Sequence, residues 1–172
     1  MTEVIKSIIS RRSVKSYKPD QVPAEMLDAI LEAGTYAPTG RNRQSPIIIA
    51  VTDKATRDRL AKLNAEIMGF DGDPFYGAPA VLAVLADKNC PTYLYDGSLV
   101  MENLMLAAHS LGLGSCWIHR AKETFECAEG KAILASLGIE GHYEGIGNCI
   151  IGYPDKLPAP QSARKENYIY KI

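Results

Sequence analysis

The sequence predicts an α+β fold with a central mixed sheet flanked by helices, and three observations carry that reading. Apolar residues recur at helical spacing in several blocks. Four short apolar or β-branched runs have the length of strands, and glycine, proline or polar clusters separate the two kinds of segment. Hydrophobic residues make up 47% of the chain and charged residues 23%, which is enough apolar content to bury a core and too little charge for a disordered chain. At 172 residues the expected organisation is a single domain spanning 1–172.

Val4, Ile5, Ile8 and Ile9 set a first helix running to about Arg12, which delivers Arg11, Arg12 and Ser13 at its end. After Lys18-Pro19-Asp20, Pro23 suits the first turn of a second helix carrying Met26, Leu27, Ile30 and Leu31 and failing near Gly34. Residues 37–46 are polar and broken by proline and glycine, so they read as a loop. Ile47 to Val51 fits a strand buried on both faces. Leu60, Leu63 and Ile67 mark a third helix ending at Gly69, and a second loop, Phe70 to Gly77, leads into a strand from Ala80 to about Ala86. Between Asp96 and Leu111 the apolar positions cover most of the circumference, which predicts a centrally buried helix ended by Gly112 or Gly114. A third strand includes Cys116, Trp117 and Ile118. One helix then runs through Ile133, Leu134 and Leu137 to Gly138, and a last strand, Asn148 to Ile151, lies between Gly147 and Gly152. The tail from Leu157 is rich in proline and charge and closes on Tyr168, Ile169, Tyr170 and Ile172.

Bulk properties exclude several functions. A formal net charge of -1 argues against wrapping nucleic acid or lying on an anionic membrane, and no apolar run reaches the length of a membrane span. With no signal-peptide layout at Met1 to Lys6, the expected location is cytoplasmic. Cys90, Cys116, Cys127 and Cys149 are widely spaced and His109, His119 and His142 scattered, so no metal site is expected. There is no Walker A sequence, and Gly145-Ile146-Gly147 and Gly112-Leu113-Gly114 lack the third glycine of a dinucleotide fingerprint.

Cationic residues fall in two clusters, Arg11, Arg12 and Lys15 near one end and Arg164 and Lys165 near the other. Guanidinium forks match phosphate oxygens, so the clusters either converge on one phosphate monoester or stand apart as solvated patches. No Ser-His-Asp order and no pair of catalytic carboxylates stands out.

Four ordered blocks decide between these alternatives by resemblance. Arg11-Arg12-Ser13-Val14-Lys15-Ser16-Tyr17 resembles the Arg-Arg-Ser-Val-Arg-x-Phe opening of the nitroreductase family, FMN-dependent oxidoreductases that use NADH or NADPH. Three further blocks are similar to it in the expected order: Ala37 to Pro46, Glu102 to Ile118, and Gly152-Tyr153-Pro154 with the later Arg164-Lys165. The resemblance implies a nitroreductase-like sheet in an intertwined homodimer, with FMN at the subunit interface. Residues like Arg11 and Arg164, with Lys165 beside the latter, grip the FMN phosphate. Arg12, Ser13 and Lys15 lie along the ribityl chain and the pyrimidine end, where a cation stabilises the anionic reduced flavin. Pro38, Thr39, Asn42 and Gln44 reach the FMN held mainly by the other subunit. Backbone amides of the strand holding Cys116, Trp117 and Ile118 approach the flavin. Two departures stand out: Gln44-Ser45-Pro46 replaces the usual Gln-Pro-Trp, and His119 replaces a common glycine, which narrows the site.

The activity so implied is ping-pong reduction of nitroaromatics, quinones or similar electron-poor small molecules, with no protein nucleophile. A non-catalytic FMN-binding or flavin-delivery protein is the alternative, and an interaction module using its basic clusters without flavin is a third reading. Phe75 and Tyr76 fit a lid over the flavin or ordinary packing beneath a loop.

Overall fold

The structure, a computed structural model, describes residues 1–172. Six helices and four strands follow in the order α1 Glu3–Ser10, α2 Ala24–Thr35, β1 Pro46–Val51, α3 Lys54–Met68, β2 Ala80–Asp87, α4 Tyr93–Ser110, β3 Gly114–Ile118, α5 Ala121–Glu126, α6 Ala128–Ser136 and β4 Tyr143–Gly152. A single 3-10 turn, Gly40–Asn42, lies in the loop before β1. The sheet order is β1-β2-β4-β3, and every neighbouring pair is antiparallel. The parallel component is one bridge, Ser13 to Ser115. The α+β class therefore stands, with its ladders antiparallel.

The sheet is the middle of three layers. On one face Leu82 and Val84 of β2 and Cys149 and Ile151 of β4 pack against Met101, Leu104 and Met105 of α4 and Leu27 and Ile30 of α2. On the other, Val81, Ala83, Leu85 and Ile150 meet Leu60 of α3, Phe125 of α5 and Phe75. Alternate residues of β2 thus enter opposite cores, which is why an almost wholly apolar run makes a central strand.

Several boundaries differ from expectation. The first helix stops at Ser10 because Arg11 leaves helical geometry at φ -52, ψ 138. Pro23, expected in the first turn of α2, is its N-cap, and the helix ends at Thr35, close to the expected Gly34. α3 ends as expected, on Gly69 in the left-handed region. β1 is an edge strand: Ile49 and Val51 are buried, Ile47 and Ile48 half-buried and Ala50 exposed, so it is not covered on both faces within one chain. The helix expected to end at Gly138 is two helices broken at Cys127, whose extended backbone lets its sulfur accept from the Gly130 N–H. α4 starts a turn earlier than expected and buries Val100, Met101 and Leu104, yet leaves Leu94, Tyr95 and Leu99 exposed. No helix is long and apolar enough to cross a membrane.

Candidate functional site at the edge of the sheet

After α1 the chain runs along the edge strand β3. Ser13 bridges Ser115, and the Val14 N–H donates to the Ser115 carbonyl at 3.0 Å. This approach requires glycine at 114, where a Cβ would lie 2.8 Å from the Val14 side chain. The same segment is fastened to the end of β4. Lys18 donates its N–H to the Tyr153 carbonyl at 2.9 Å, the Asp155 N–H donates to the Ser16 carbonyl at 3.0 Å, and the Ser16 hydroxyl donates to the Asp155 carboxylate at 3.1 Å. Beneath it the Tyr17 hydroxyl donates to the Val14 carbonyl at 2.8 Å, and burial pushes that phenol far above its ordinary range, so it remains a donor.

The two cationic clusters meet here. Arg12, Ser13, Lys15 and Ser16 form one wall of a cavity of about 560 Å³, and the tail Lys156–Ser162 with Arg164 forms the other. An adjoining cavity of about 400 Å³ shares Arg12 and the tail, and adds Ser10 and His109 at the end of α4. Ser10 Oγ and His109 Nε2 lie 2.8 Å apart. Burial, helped by the charges of Arg11 and Arg12, holds the imidazole below its ordinary pKa and hence neutral at pH 7.

Arg11 does not line the cavity that holds Arg164. Consecutive side chains of an extended segment point to opposite sides, so Arg12 faces the cavity while Arg11 turns toward Glu102 of α4 at 3.8 Å. Arg11 Nε and Nη1 and Arg12 Nε are buried without hydrogen-bond partners, and Arg12 Nη1 donates to the carbonyls of Ile9, Ser10 and Arg11. Lys165 also lies outside the cavity lining, its ammonium 5.2 Å over the Tyr168 ring. Ser16 and Lys156 were missed by sequence reading. The proline-bearing stretch between Pro154 and Arg164 was their available signal, since it has to return the chain to the N-terminal cluster.

On β3, Cys116 and Ile118 enter one core and Trp117 packs on the other, its Nε1 buried without a partner. These side chains are spent on packing, leaving the backbone as the part of β3 able to face a ligand. Burial raises the Cys116 thiol above its ordinary pKa despite the Ser13 hydrogen bond and the nearby Lys15 and Arg11, so it is not a thiolate at neutral pH. His119 is exposed and lines neither cavity.

Pro38, Thr39, Asn42 and Gln44 lie at the other end of the molecule. Buried Asp96, in the first turn of α4, accepts from the Gly40 N–H at 3.0 Å and from the hydroxyls of Ser45 and Thr92 at 3.1 and 3.0 Å. The loop so held keeps Arg41, Asn42 and Gln44 at φ 55, 54 and 51, strained for residues other than glycine. Gln44 Nε2 donates to Asn42 Oδ1 at 3.3 Å, and both side chains are exposed. Thirteen residues of α4 separate Asp96 from His109, roughly 20 Å along the helix axis.

Fold and cavity define the class first: an α+β protein with a cationic cavity built between its edge strand and its own tail. The sequence pattern described as Nitroreductase family matches residues 8–75 and 69–153, and the chain belongs to that family. It is 34% identical over 161 residues to a putative NADH dehydrogenase/NAD(P)H nitroreductase of Archaeoglobus fulgidus, covering 90% of this chain and 87% of that protein. It is 27% identical over 188 residues to an FMN reductase [NAD(P)H] of Bacillus subtilis, covering 96% of this chain and 70% of that one. Among solved structures, the nitroreductase with bound FMN from Bacteroides fragilis superposes with a TM-score of 0.90 at 30% identity, covering all of both chains.

Proposed function

We propose that the chain is an FMN-dependent oxidoreductase that takes electrons from NADH or NADPH and delivers them to a nitroaromatic, quinone or similarly electron-poor small molecule. The observation that carries this reading is the convergence of Arg12, Ser13, Lys15 and Arg164 on one cavity, in a family whose relatives are crystallised with FMN and named for NAD(P)H oxidation. The residues present fit the cofactor. The buried Nε of Arg12, which lines the cavity, stands without a partner, as a donor awaiting an anion would.

Bound FMN would supply the two-electron chemistry linking nicotinamide and acceptor. Arg12 and Arg164 would hold its phosphate, and the Ser13 hydroxyl would offer a donor to its ribityl chain. Lys15 would supply a cation to the flavin's pyrimidine end, and the β3 backbone would offer fixed donors that do not titrate. The side chains orient and exclude water, and solvent supplies the accompanying proton. Donor and acceptor use the site in turn, so double-reciprocal plots are parallel.

The working unit we propose is a homodimer with the site at the subunit interface. Val4, Ile5, Ile8 and Ile9 form an exposed apolar stripe on α1, and Leu94, Tyr95 and Leu99 of α4 are exposed as well. The Pro38 to Gln44 loop stands a helix length from its own cavity and is positioned to serve a partner's.

The visible spectrum of the purified protein tests the cofactor. Yellow protein that releases FMN on denaturation and is bleached by NADH or NADPH in stopped flow is the expected result. Colourless protein that takes up no FMN overturns the reading. Yellow protein that neither nicotinamide bleaches replaces it with flavin delivery.

A further inference from the structure

The loop before β2 contains a non-glycine residue in a conformation its neighbours enforce. Tyr76 has φ 53 and Gly77 φ 75, and the Ala78 N–H donates to the Phe75 carbonyl at 3.0 Å, the sign pattern of a type I′ turn. Asparagine, aspartate or glycine ordinarily fills the position of Tyr76. The turn is fixed from both sides. The Asp73 carboxylate accepts from the N–H groups of Phe75 and Gly77 at 2.9 and 2.8 Å and pairs with buried Arg57. Arg57 in turn donates Nε to the Ala78 carbonyl at 2.9 Å and lies 5.5 Å over the ring of Phe75, which is fully buried.

This scaffolding leaves Tyr76 39% exposed, and what stands over its ring is Lys15, with Nζ 5.8 Å from the ring centroid. That is within the range of a cation–π contact. A strained backbone, an over-determined loop and a ring facing one charged side chain are together a device for holding that side chain.

We infer that Tyr76 is a positioning residue: its ring holds the Lys15 ammonium at the edge of the cavity, and thereby sets how strongly the site favours the reduced over the oxidised flavin. This rests on the reading that places Lys15 beside the flavin. The charged side chain over the ring is Lys15, so on this inference the ring acts on the flavin through Lys15.

The test uses full-length protein, with Tyr76→Asn to remove the ring while keeping a residue that tolerates positive φ, and Tyr76→Phe to restore the ring without the hydroxyl. FMN dissociation constants by fluorescence titration and two-electron midpoint potentials are measured for both, for Lys15→Met and for the Tyr76→Asn/Lys15→Met double variant. Tyr76→Asn is expected to weaken reduced flavin about two- to five-fold more than oxidised, roughly 10–20 mV downward at about 29.6 mV per tenfold. Tyr76→Phe matches the parent, and Tyr76→Asn adds nothing once Lys15 is methionine. A Tyr76→Asn protein with the parental potential, in a chain where Lys15→Met does shift it, overturns the inference alone. An equal shift in both backgrounds also overturns it, because the ring then acts independently of the lysine. Lys15→Met that moves neither affinity nor potential overturns the underlying placement of Lys15.

Discussion

The two ends of the sheet carry halves of the candidate site built on opposite plans. At the end where β3 starts and β4 finishes, the chain closes on itself: residues 13–18 pair with β3 and the end of β4, and the tail returns Arg164 to face Arg12. At the other end, where β1 begins and α4 starts, an equally well-anchored loop is aimed outward. Asp96 fixes Gly40 and Ser45, yet Asn42 and Gln44 touch chiefly each other. Thr39 and Gln44 line a separate cavity of about 550 Å³ with Leu31 and Thr35 of α2 and Ile48 of β1, and in the proposed dimer this is the loop that serves the partner. Rigidity alone therefore does not mark the site; what separates the halves is that only the first brings cationic side chains together around its cavity.

The largest test removes the partner. The tail residues Tyr168, Ile169 and Tyr170 are 66%, 77% and 81% exposed in the single chain, and deletion after Asn167 is expected to halve the mass seen by light scattering and release FMN in the same step. A full-length, flavin-loaded monomer at micromolar concentration breaks the comparison outright.

Next in size is the loop anchor. Asp96→Ala strands the Gly40 N–H and the Ser45 and Thr92 hydroxyls, at an expected cost of about 3 kcal/mol in urea unfolding. The same variant should lose flavin while its Arg12–Arg164 cavity stays intact, which would show the halves to be separable.

Glu144 braces the same end from beneath. Burial alone would raise its carboxyl, but Lys122, Lys88 and the Tyr93 hydroxyl outweigh it and hold the carboxyl below its ordinary pKa. A depressed carboxyl stabilises the fold above the unfolded-state pKa of about 4.3, and that contribution is lost as pH falls through the lower native value. Glu144→Gln is therefore expected to cost about 2 kcal/mol at pH 7, with the gap to the parent closing in acid. A gap of constant size from pH 7 to pH 3 would locate the loss in packing.

The smallest effect sharpens the closed half. Arg12→Ala and Arg164→Ala should each weaken FMN about tenfold and leave riboflavin almost unchanged, since one charge-assisted phosphate contact is worth about 1.5 kcal/mol. Arg11→Ala then separates resemblance from geometry. A loss as large as theirs would mean that Arg11 leaves Glu102 for the phosphate.

Much of this was legible in the sequence, because local chemistry fixes it. Gly69 ends α3 where its αL conformation is needed, and the apolar run of β2 could only be a buried strand. What escaped depends on distant contacts. Cys127 breaks α5 from α6 with a thiol cap, which has no strong local signature. Gly147, expected to bound the last strand, lies inside β4 with Gly145, and both are glycine because a Cβ would strike the Trp117 ring at 2.5 Å and the Ala121 backbone at 2.3 Å. Arg57 looks like a solvated helix residue and is buried against Asp73, sixteen positions away. The same limit governs the site: Arg11 and Arg12 are equivalent as letters, and only the turn after Ser10 decides which one faces the cavity.

The apolar stripe on α1 has a thermodynamic consequence. The helix has eight residues and buries none of them in its own chain, well short of the roughly 12–15 at which an isolated helix holds together in water. In the proposed dimer its order is supplied by the second subunit and obeys mass action. Dilution should then fray residues 3–10 before the sheet opens, and with them the approach of Arg12 to its cavity. The melting temperature would rise with protein concentration, so flavin affinity becomes a property of how much of the chain is present.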